Sequence, residues 1–229
     1  MAKKKKIKRS GSRAYRIIYA ILAGIIGVIF NYKIINGDKE PDEGRVILCA
    51  NHVSATDAIA LCYAFKKNQV CFMAKKELFK VPVRAPLIRL LGAFPIDRGG
   101  SDVGAIKSAV SLVSSGKVLG IFPQGHRYPG EDPRSTKTKN GMALIATKSE
   151  ANIVPAYIWR KKNRFKLFRR TYIILGDMIP FADLGYDPDA SGEYARITGV
   201  VFDKICDIGE QFERERAEKK NKNKKKNGK

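Results

Sequence analysis

An imidazole and a carboxylate occur where a buried strand pattern gives way to a helical pattern. The segment Asn51-His52-Val-Ser-Ala-Thr-Asp57 follows the apolar run 45–50 and overlaps the start of the helical pattern 55–65. Ligands collect at the carboxyl ends of strands in open α/β sheets. An imidazole placed there can remove a proton from an attacking hydroxyl, while a carboxylate on its other ring nitrogen fixes the tautomer. The alternative is structural: His52 bonds a backbone carbonyl and Asp57 helps to cap the helix.

Two later segments carry residues suited to binding a phosphate. Arg98 follows the apolar segment 92–96 and precedes two glycines, so its guanidinium can bind phosphate through two parallel hydrogen bonds. After the strand pattern 117–122, Gly125 allows a close approach of the backbone to a ligand and Arg127 supplies positive charge. The structural alternatives are a surface Asp-Arg pair and an ordinary turn. The segment 153–157 reads as a buried strand.

Taken in order, these four segments resemble the lysophosphatidate acyltransferase family across residues 44–176. Members carry an Asn-His-x4-Asp block, an apolar block ending in Arg, a Phe-Pro-Glu-Gly-Thr-Arg block and a Val-Pro block. The resemblance implies that His52 is the general base and that Asp57 orients it. It also implies a substrate-binding patch for the acceptor's phosphate, formed by Arg98, Gly125, Arg127, Gln124 and Lys75.

The resemblance further implies a reaction. The hydroxyl of lysophosphatidate would attack the thioester of acyl-CoA or acyl-carrier protein directly, giving phosphatidate for phospholipid biosynthesis. No covalent acyl-enzyme is expected, and the chain contains no Gly-x-Ser-x-Gly elbow. No His/Cys spacing typical of zinc occurs, so we expect neither a metal nor another cofactor. Transfer to another lysophospholipid is the nearest alternative.

Two positions depart from the family's third block. Gln124 stands where the family usually has Glu, and His126 stands where it usually has Thr. Glutamine donates as well as accepts hydrogen bonds and carries no charge. His126 is a second imidazole close to the expected phosphate site. These changes indicate either a different acceptor or a subfamily with the same acceptor.

The charge of the chain predicts its partners rather than its fold. The net charge is +22, which favours an anionic membrane surface, anionic substrates or nucleic acid. The basic stretch 160–170 contains phenylalanines that nucleic acid could use. However, the sequence has no helix-turn-helix or RNA-recognition motif, and a binding-only protein would not need the four ordered segments. We therefore expect lipid and acyl donor as partners, and no nucleic acid.

The N-terminus imitates a membrane-targeting segment. Eight Lys or Arg among the first sixteen residues precede the apolar run 17–30. The stretch between Arg16 and Lys33 would cover about 24 Å as a helix, whereas a bilayer core is about 30 Å thick. We therefore predict a half-embedded helix that anchors residues 1–35 to the cytoplasmic face of the cell membrane. A cleaved or spanning signal is the alternative.

Alternating strand-like and helix-like segments predict the fold class. We expect an α/β domain over 36–217, with a mixed, partly parallel sheet flanked by helices and a C-terminal helix from 191 to 217. The Lys-rich tail 218–229 is predicted to be disordered because its like charges repel. Cys49 and Cys62 lie in apolar runs and are predicted to be buried, free thiols.

Overall fold

The computed structural model describes residues 24, 26–80, 82, 84–90, 92–96 and 103–227. Its strands are β1 (Tyr32–Ile35), β2 (Val46–Ala50), β3 (Val70–Lys75), β4 (Ala93–Ile96), β5 (Val118–Ile121), β6 (Asn152–Arg160) and β7 (Thr171–Leu175). Its helices are α1 (Asp57–Ala64), α2 (Arg84–Leu90), α3 (Val103–Ser114), α4 (Gly141–Ser149) and α5 (Glu193–Asn227). Short 3₁₀ turns at Lys76–Phe79, Pro133–Ser135 and Lys161–Asn163 lie in the connections.

The seven strands form one mixed sheet in the order β1-β7-β6-β2-β5-β3-β4. The five strands from β6 to β4 are mutually parallel. β7 runs antiparallel to β6, and β1 pairs in parallel with β7. The prediction of a mixed, partly parallel sheet flanked by helices is therefore confirmed. The carboxyl ends of β2, β5, β3 and β6 consequently meet at one edge of the sheet.

A hydrophobic core lies on each face of the sheet. Every residue of β2 is buried, which explains its continuous apolar sequence. Ile47 and Cys49 face the core that α3, α4 and α5 cover. Leu48 and its alternate neighbours face the core that α1 covers. All four cysteines are buried and free, as predicted for two of them. This double burial fixes the end of β2, where the candidate site begins.

The end of the N-terminal segment differs from its prediction, whereas residues 26–29 are helical as predicted. Residues 32–35 were assigned to the membrane anchor but form strand β1, since their apolar side chains complete the sheet beside β7. Most of the predicted anchoring helix, 17–30, lies outside the described residues. Within the described part of the chain, no helix has both the length and the apolar character needed to cross a membrane.

The C-terminal helix is longer than predicted. α5 continues to Asn227, through most of the tail 218–229 that the sequence predicts to be disordered. Lysine is a good helix former, and cations near a helix C-terminus interact favourably with the helix dipole. These two effects favour the helix, whereas the prediction considered only charge repulsion.

Candidate active site

The turn between β2 and α1 brings His52 and Asp57 into contact. His52 lies in the loop, and Asp57 is the first residue of the helix. The Nδ1 atom of His52 is 2.8 Å from Oδ2 of Asp57. The contact requires the turn, because a spacing of five residues does not align two side chains on a regular helix. The carboxylate's two backbone contacts are to the loop that precedes the helix, at Val53 and Ser54, and not to N–H groups of the helix itself.

Asp57 is fully buried, and both of its carboxylate oxygens accept hydrogen bonds. Oδ2 accepts from the backbone N–H groups of Val53 and Ser54, at 2.7 and 2.8 Å, in addition to the imidazole. Oδ1 accepts from Nη1 of Arg160. A buried carboxylate needs this number of donors because an unpaired charge is costly inside a protein. The Asp57 carboxylate therefore stabilises the conformation of the loop and also orients the imidazole.

The environment keeps Asp57 ionised. Burial alone would raise the pKa of Asp57, but the His52 hydrogen bond, the Arg160 charge and the Ser54 N–H lower that pKa below its ordinary value. A carboxylate at Nδ1 requires a proton on that nitrogen, so Nε2 is the imidazole nitrogen that can accept a proton. The His52 side chain is 17% exposed. A substrate hydroxyl can therefore be deprotonated at Nε2.

Arg160 also belongs to the site, although no local sequence pattern identified it. It is the last residue of β6, its side chain is 2% exposed, and its guanidinium pairs with Asp57. Nη2 also donates to Thr56 Oγ1 at 3.3 Å, and the guanidinium lies 5.5 Å from the Phe165 ring centroid. In the sequence, Arg160 is the first residue of the basic stretch 160–170. The signal was the two-residue period of β6, because Ile158 and Arg160 share a face.

Asn51 explains how β6 reaches the site. The β2–β6 ladder ends at the Ala50–Ala156 pair, although β6 continues for four more residues. Beyond the ladder, the Asn51 side chain donates to the Ile158 carbonyl at 3.2 Å and accepts from the Ile158 N–H at 2.7 Å. The Asn51 side chain thus makes the two hydrogen bonds to β6 that the backbone of a further β2 residue would make. The extended end of β6 then carries Arg160 to Asp57.

The loop after β5 forms hydrogen bonds with both backbone groups of His52, its N–H and its carbonyl. The His52 N–H donates to Gln124 Oε1 at 2.6 Å, and the His52 carbonyl accepts from the Tyr128 N–H at 2.9 Å. Phe122 stacks on the imidazole, with ring centroids 4.0 Å apart and planes 10° apart. Gln124 is buried, and its Nε2 donates to Thr136 Oγ1 at 2.7 Å. Gln124 was predicted to bind substrate; these contacts also place it as a support for the His52 backbone.

Three of the other predicted substrate-binding residues, Gly125, Arg127 and Lys75, lie at or near the same edge of the sheet. Gly125 has a φ of +68°, and a Cβ there would meet Lys139 Cδ at 2.9 Å, so a side chain would be disfavoured. His126 and Arg127 follow it and are exposed. Lys75 is exposed at the carboxyl end of β3. Arg98 lies outside the described residues.

These groups define a centre of general-base chemistry. A buried carboxylate holds an imidazole at the carboxyl edge of a mostly parallel sheet, and the imidazole side chain remains partly exposed. Among the residues that the structure describes, no cluster of three or more His, Cys, Asp or Glu residues is placed to bind a metal. The fold and the site therefore fit a transferase that activates a hydroxyl.

The chain belongs to the acyltransferase family. The family model, described as "Acyltransferase", matches residues 31–159, which is more than half of the chain and includes both His52 and Asp57. Arg160 directly follows the matched segment. The resemblance found in the sequence is thereby confirmed, and the protein is an acyltransferase.

Named relatives support a narrower comparison. The chain is 27% identical to the 1-acyl-sn-glycerol-3-phosphate acyltransferase of Bacillus subtilis over 199 residues, covering 86% of this chain and 94% of that protein. It is 35% identical to the enzyme of that name from Streptococcus pneumoniae over 147 residues, covering 61% of this chain and 53% of that protein. The crystal structure of the 1-acyl-sn-glycerophosphate acyltransferase PlsC from Thermotoga maritima has a TM-score of 0.61 and 20% identity, covering 86% and 79%. This last likeness shows the fold.

Proposed function

We propose that this acyltransferase moves a fatty acyl group from acyl-CoA or acyl-carrier protein to the free hydroxyl of lysophosphatidate, giving phosphatidate. The buried Asp57–His52 pair carries the proposal, because it leaves one imidazole nitrogen available as a base. Two relatives that share 27% and 35% identity with the chain bear the name of this activity.

In this reaction, Nε2 of His52 takes the proton as the hydroxyl oxygen attacks the thioester carbonyl carbon. The C–S bond then breaks, and the leaving thiolate takes the proton from the imidazolium. The products are an ester and a free thiol. Asp57 stabilises the transient imidazolium through the 2.8 Å contact with Nδ1, and Arg160 keeps Asp57 ionised. No covalent acyl-enzyme and no cofactor take part in this scheme.

Arg98, Arg127, Gly125 and Lys75 would bind the acceptor's phosphate. Arg127 and Lys75 are exposed at or near the edge of the sheet that holds His52, which fits charge-assisted bonds to a phosphate. Gln124 and His126, which differ from the usual family residues, favour testing a second lysophospholipid as acceptor. The apolar segment 17–30 would anchor the enzyme to the cytoplasmic face of the cell membrane.

The direct test measures free thiol and ester formed by the purified full chain, with a panel of lysophospholipids and both donor types. We expect lysophosphatidate to be used, and His52→Ala to reduce turnover by about 10²–10⁴-fold. Arg98→Ala and Arg127→Ala should raise the KM for the acceptor, whereas the exposed Arg214→Ala on α5 serves as the matched control. Turnover of a folded His52→Ala enzyme near the wild-type rate would refute the mechanism.

The membrane position needs its own measurement. In oriented vesicles, a protease on the cytoplasmic side should digest the catalytic domain. Protection from the cytoplasmic side, with digestion from the opposite side, would contradict the proposed anchoring.

A further inference from the structure

The connection between β6 and β7 combines positive charge with exposed apolar side chains. Residues 161–170, Lys-Lys-Asn-Arg-Phe-Lys-Leu-Phe-Arg-Arg, contain no acidic residue. Leu167 is 48% exposed and Phe168 is 64% exposed. Six cations of the connection are also exposed: Lys161, Lys162, Arg164, Lys166, Arg169 and Arg170. The connection therefore leaves apolar surface in water at the centre of a basic surface.

The backbone holds Phe168 in an unfavourable conformation. Its φ is +59°, a region that bulky L-residues rarely adopt. The Phe168 N–H donates to the Ile29 carbonyl at 3.1 Å, and its carbonyl accepts from Asn31 Nδ2 at 3.0 Å. These contacts fix the backbone while most of the ring stays outside the core. Strain of this kind persists where surrounding structure enforces it, and it concentrates at functional positions.

The exposed apolar surface continues onto the segment before β1. Val28 is 75% exposed and precedes Ile29, which bonds to Phe168. The Phe30 and Phe165 rings lie 5.8 Å apart and join the two segments beneath the surface. We call Val28, Leu167, Phe168 and the six exposed cations the docking patch. Since Val28 belongs to the apolar run 17–30, the patch continues a segment already suited to lipid.

We propose that the docking patch binds an anionic lipid bilayer and that this contact presents the leaflet to His52. Apolar side chains ringed by Lys and Arg match an interface in which the apolar groups enter the acyl region and the cations meet the headgroups. Two of the three apolar side chains are aliphatic, and aliphatic groups do not stack on nucleic acid bases. The observations therefore favour lipid over nucleic acid or an acidic protein.

The patch is connected directly to the candidate site. The Phe165 ring lies 5.5 Å from the Arg160 guanidinium, and Arg160 pairs with Asp57. The connection starts at the carboxyl end of β6, at the same edge of the sheet as His52. A lysolipid acceptor in the bound leaflet would thus reach the base while its headgroup stays at the surface. This consequence for catalysis rests on the proposed function, whereas the lipid contact itself does not.

The contact can be measured at a single position. The four native cysteines are buried, so a thiol-reactive NBD label should react selectively with a Phe168→Cys variant of the full chain. With vesicles containing phosphatidylglycerol, we expect NBD emission to rise and spin-labelled lipids to quench it. Val200→Cys on α5, where Val200 is 43% exposed, is the matched control and should not respond. An unchanged label at position 168, on protein that sediments with the vesicles, would overturn the proposal. A response to RNA or an acidic protein, but not to vesicles, would also overturn it.

A second measurement separates docking from chemistry. Two double variants should reduce transfer to lysophosphatidate held in anionic vesicles: Leu167→Ser/Phe168→Ser and Lys166→Glu/Arg169→Glu. For the second variant, we expect a reduction of about fivefold for each cation removed. The matched control Lys219→Glu/Lys220→Glu changes the same charge far along α5 and should have no effect. Transfer to a short-chain acceptor dissolved as monomers should continue in every variant. Absence of transfer in the wild type with both acceptors would refute the proposed function alone, whereas equal loss with both acceptors in the patch variants would refute the docking proposal.

Discussion

Two arginine–carboxylate clusters use the same chemical groups in opposite environments. Arg160 pairs with one carboxylate, Asp57, and the two side chains are 2% and 0% exposed. Arg134, in the turn after β5, contacts three carboxylates of α5 at 2.6–3.3 Å, namely Asp203, Asp207 and Glu210. The Arg134 side chain is 40% exposed, and each of its partners is at least half exposed.

The difference shows that burial, rather than the number of ion pairs, decides how much each cluster contributes. An exposed pair gains little because water solvates both charges and salt screens them. Removing one partner of a buried pair leaves the other charge without solvent or counterion. We therefore expect the single ion pair of Arg160 to outweigh the three ion pairs of Arg134.

The strongest test of this comparison is Arg160→Met. It should lower the free energy of unfolding by about 3–5 kcal/mol, because Asp57 keeps a buried charge after losing its partner. Acyl transfer should fall as well, since Asp57 then orients His52 less firmly. Urea unfolding measures the first effect. The double variant Asp57→Asn/Arg160→Met removes the orphaned charge and should be more stable than Arg160→Met, while its acyl transfer stays reduced. A stability loss under about 1 kcal/mol would place both clusters in the same class.

Acidification tests the buried carboxylate separately. Because the folded-state pKa of Asp57 lies below its ordinary value, its stabilisation is complete above about pH 4 and is lost as the pH falls through the folded-state pKa. At neutral pH, the free energy of unfolding of the wild type should exceed that of Asp57→Asn by about 1.5–3 kcal/mol. This difference should shrink on acidification. Unfolding curves at several pH values give this difference. The exposed Asp207→Asn should show a far smaller margin, and equal margins would contradict the comparison.

Gln124→Glu tests the segment that lies between the two clusters. A carboxylate can still accept the His52 N–H, but Thr136 must then donate to it and release the Pro133 carbonyl, to which it donates at 2.6 Å. We expect a stability change of about 1 kcal/mol or less, with transfer retained. Gln124→Leu lacks an acceptor for the His52 N–H and should lower both the stability and the acyl transfer more strongly. Complete inactivity of a folded Gln124→Glu enzyme would assign a different arrangement to this loop.

The smallest effect is expected for Arg134→Met. The free energy of unfolding should change by about 1 kcal/mol or less at low salt, because the guanidinium is solvated before and after folding. In 1 M salt the difference should nearly vanish, since the screening length falls to about 3 Å. Parallel unfolding curves for Arg134→Met and Arg160→Met measure the contrast directly. A salt-independent loss as large as that of Arg160→Met would reverse our assignment.

Much of the sheet could be predicted from local patterns. β2, β3, β5, β6 and β7 appear in the sequence as short apolar runs, and α3 shows its helical period. β1 was missed because its residues continue an apolar run that was read as a membrane anchor. α2 was also missed; it contains Pro86, which usually suggests a break but is tolerated in the first turn of a helix.

The candidate site was predictable only where its residues are close in sequence. His52 and Asp57 are five residues apart, so a single turn decides their contact. Arg160 is 103 residues from Asp57, and its position depends on the parallel register of β2 with β6 and on the Asn51 side chain. The role of Gln124 depends likewise on how the loop after β5 folds back onto His52. No local pattern encodes such pairings.

The length of α5 has a consequence for how the molecule opens. Its 35 residues extend for about 52 Å, but its buried positions end before residue 213, after which every described side chain is exposed. A helix without tertiary packing is only marginally stable in water. Amide hydrogens near Val201 and Ile205 should therefore exchange on the timescale of global unfolding, whereas those beyond Arg216 should exchange almost freely. The free energy of opening measured by amide exchange would then differ between the two halves of this continuous helix by most of the protein's free energy of unfolding.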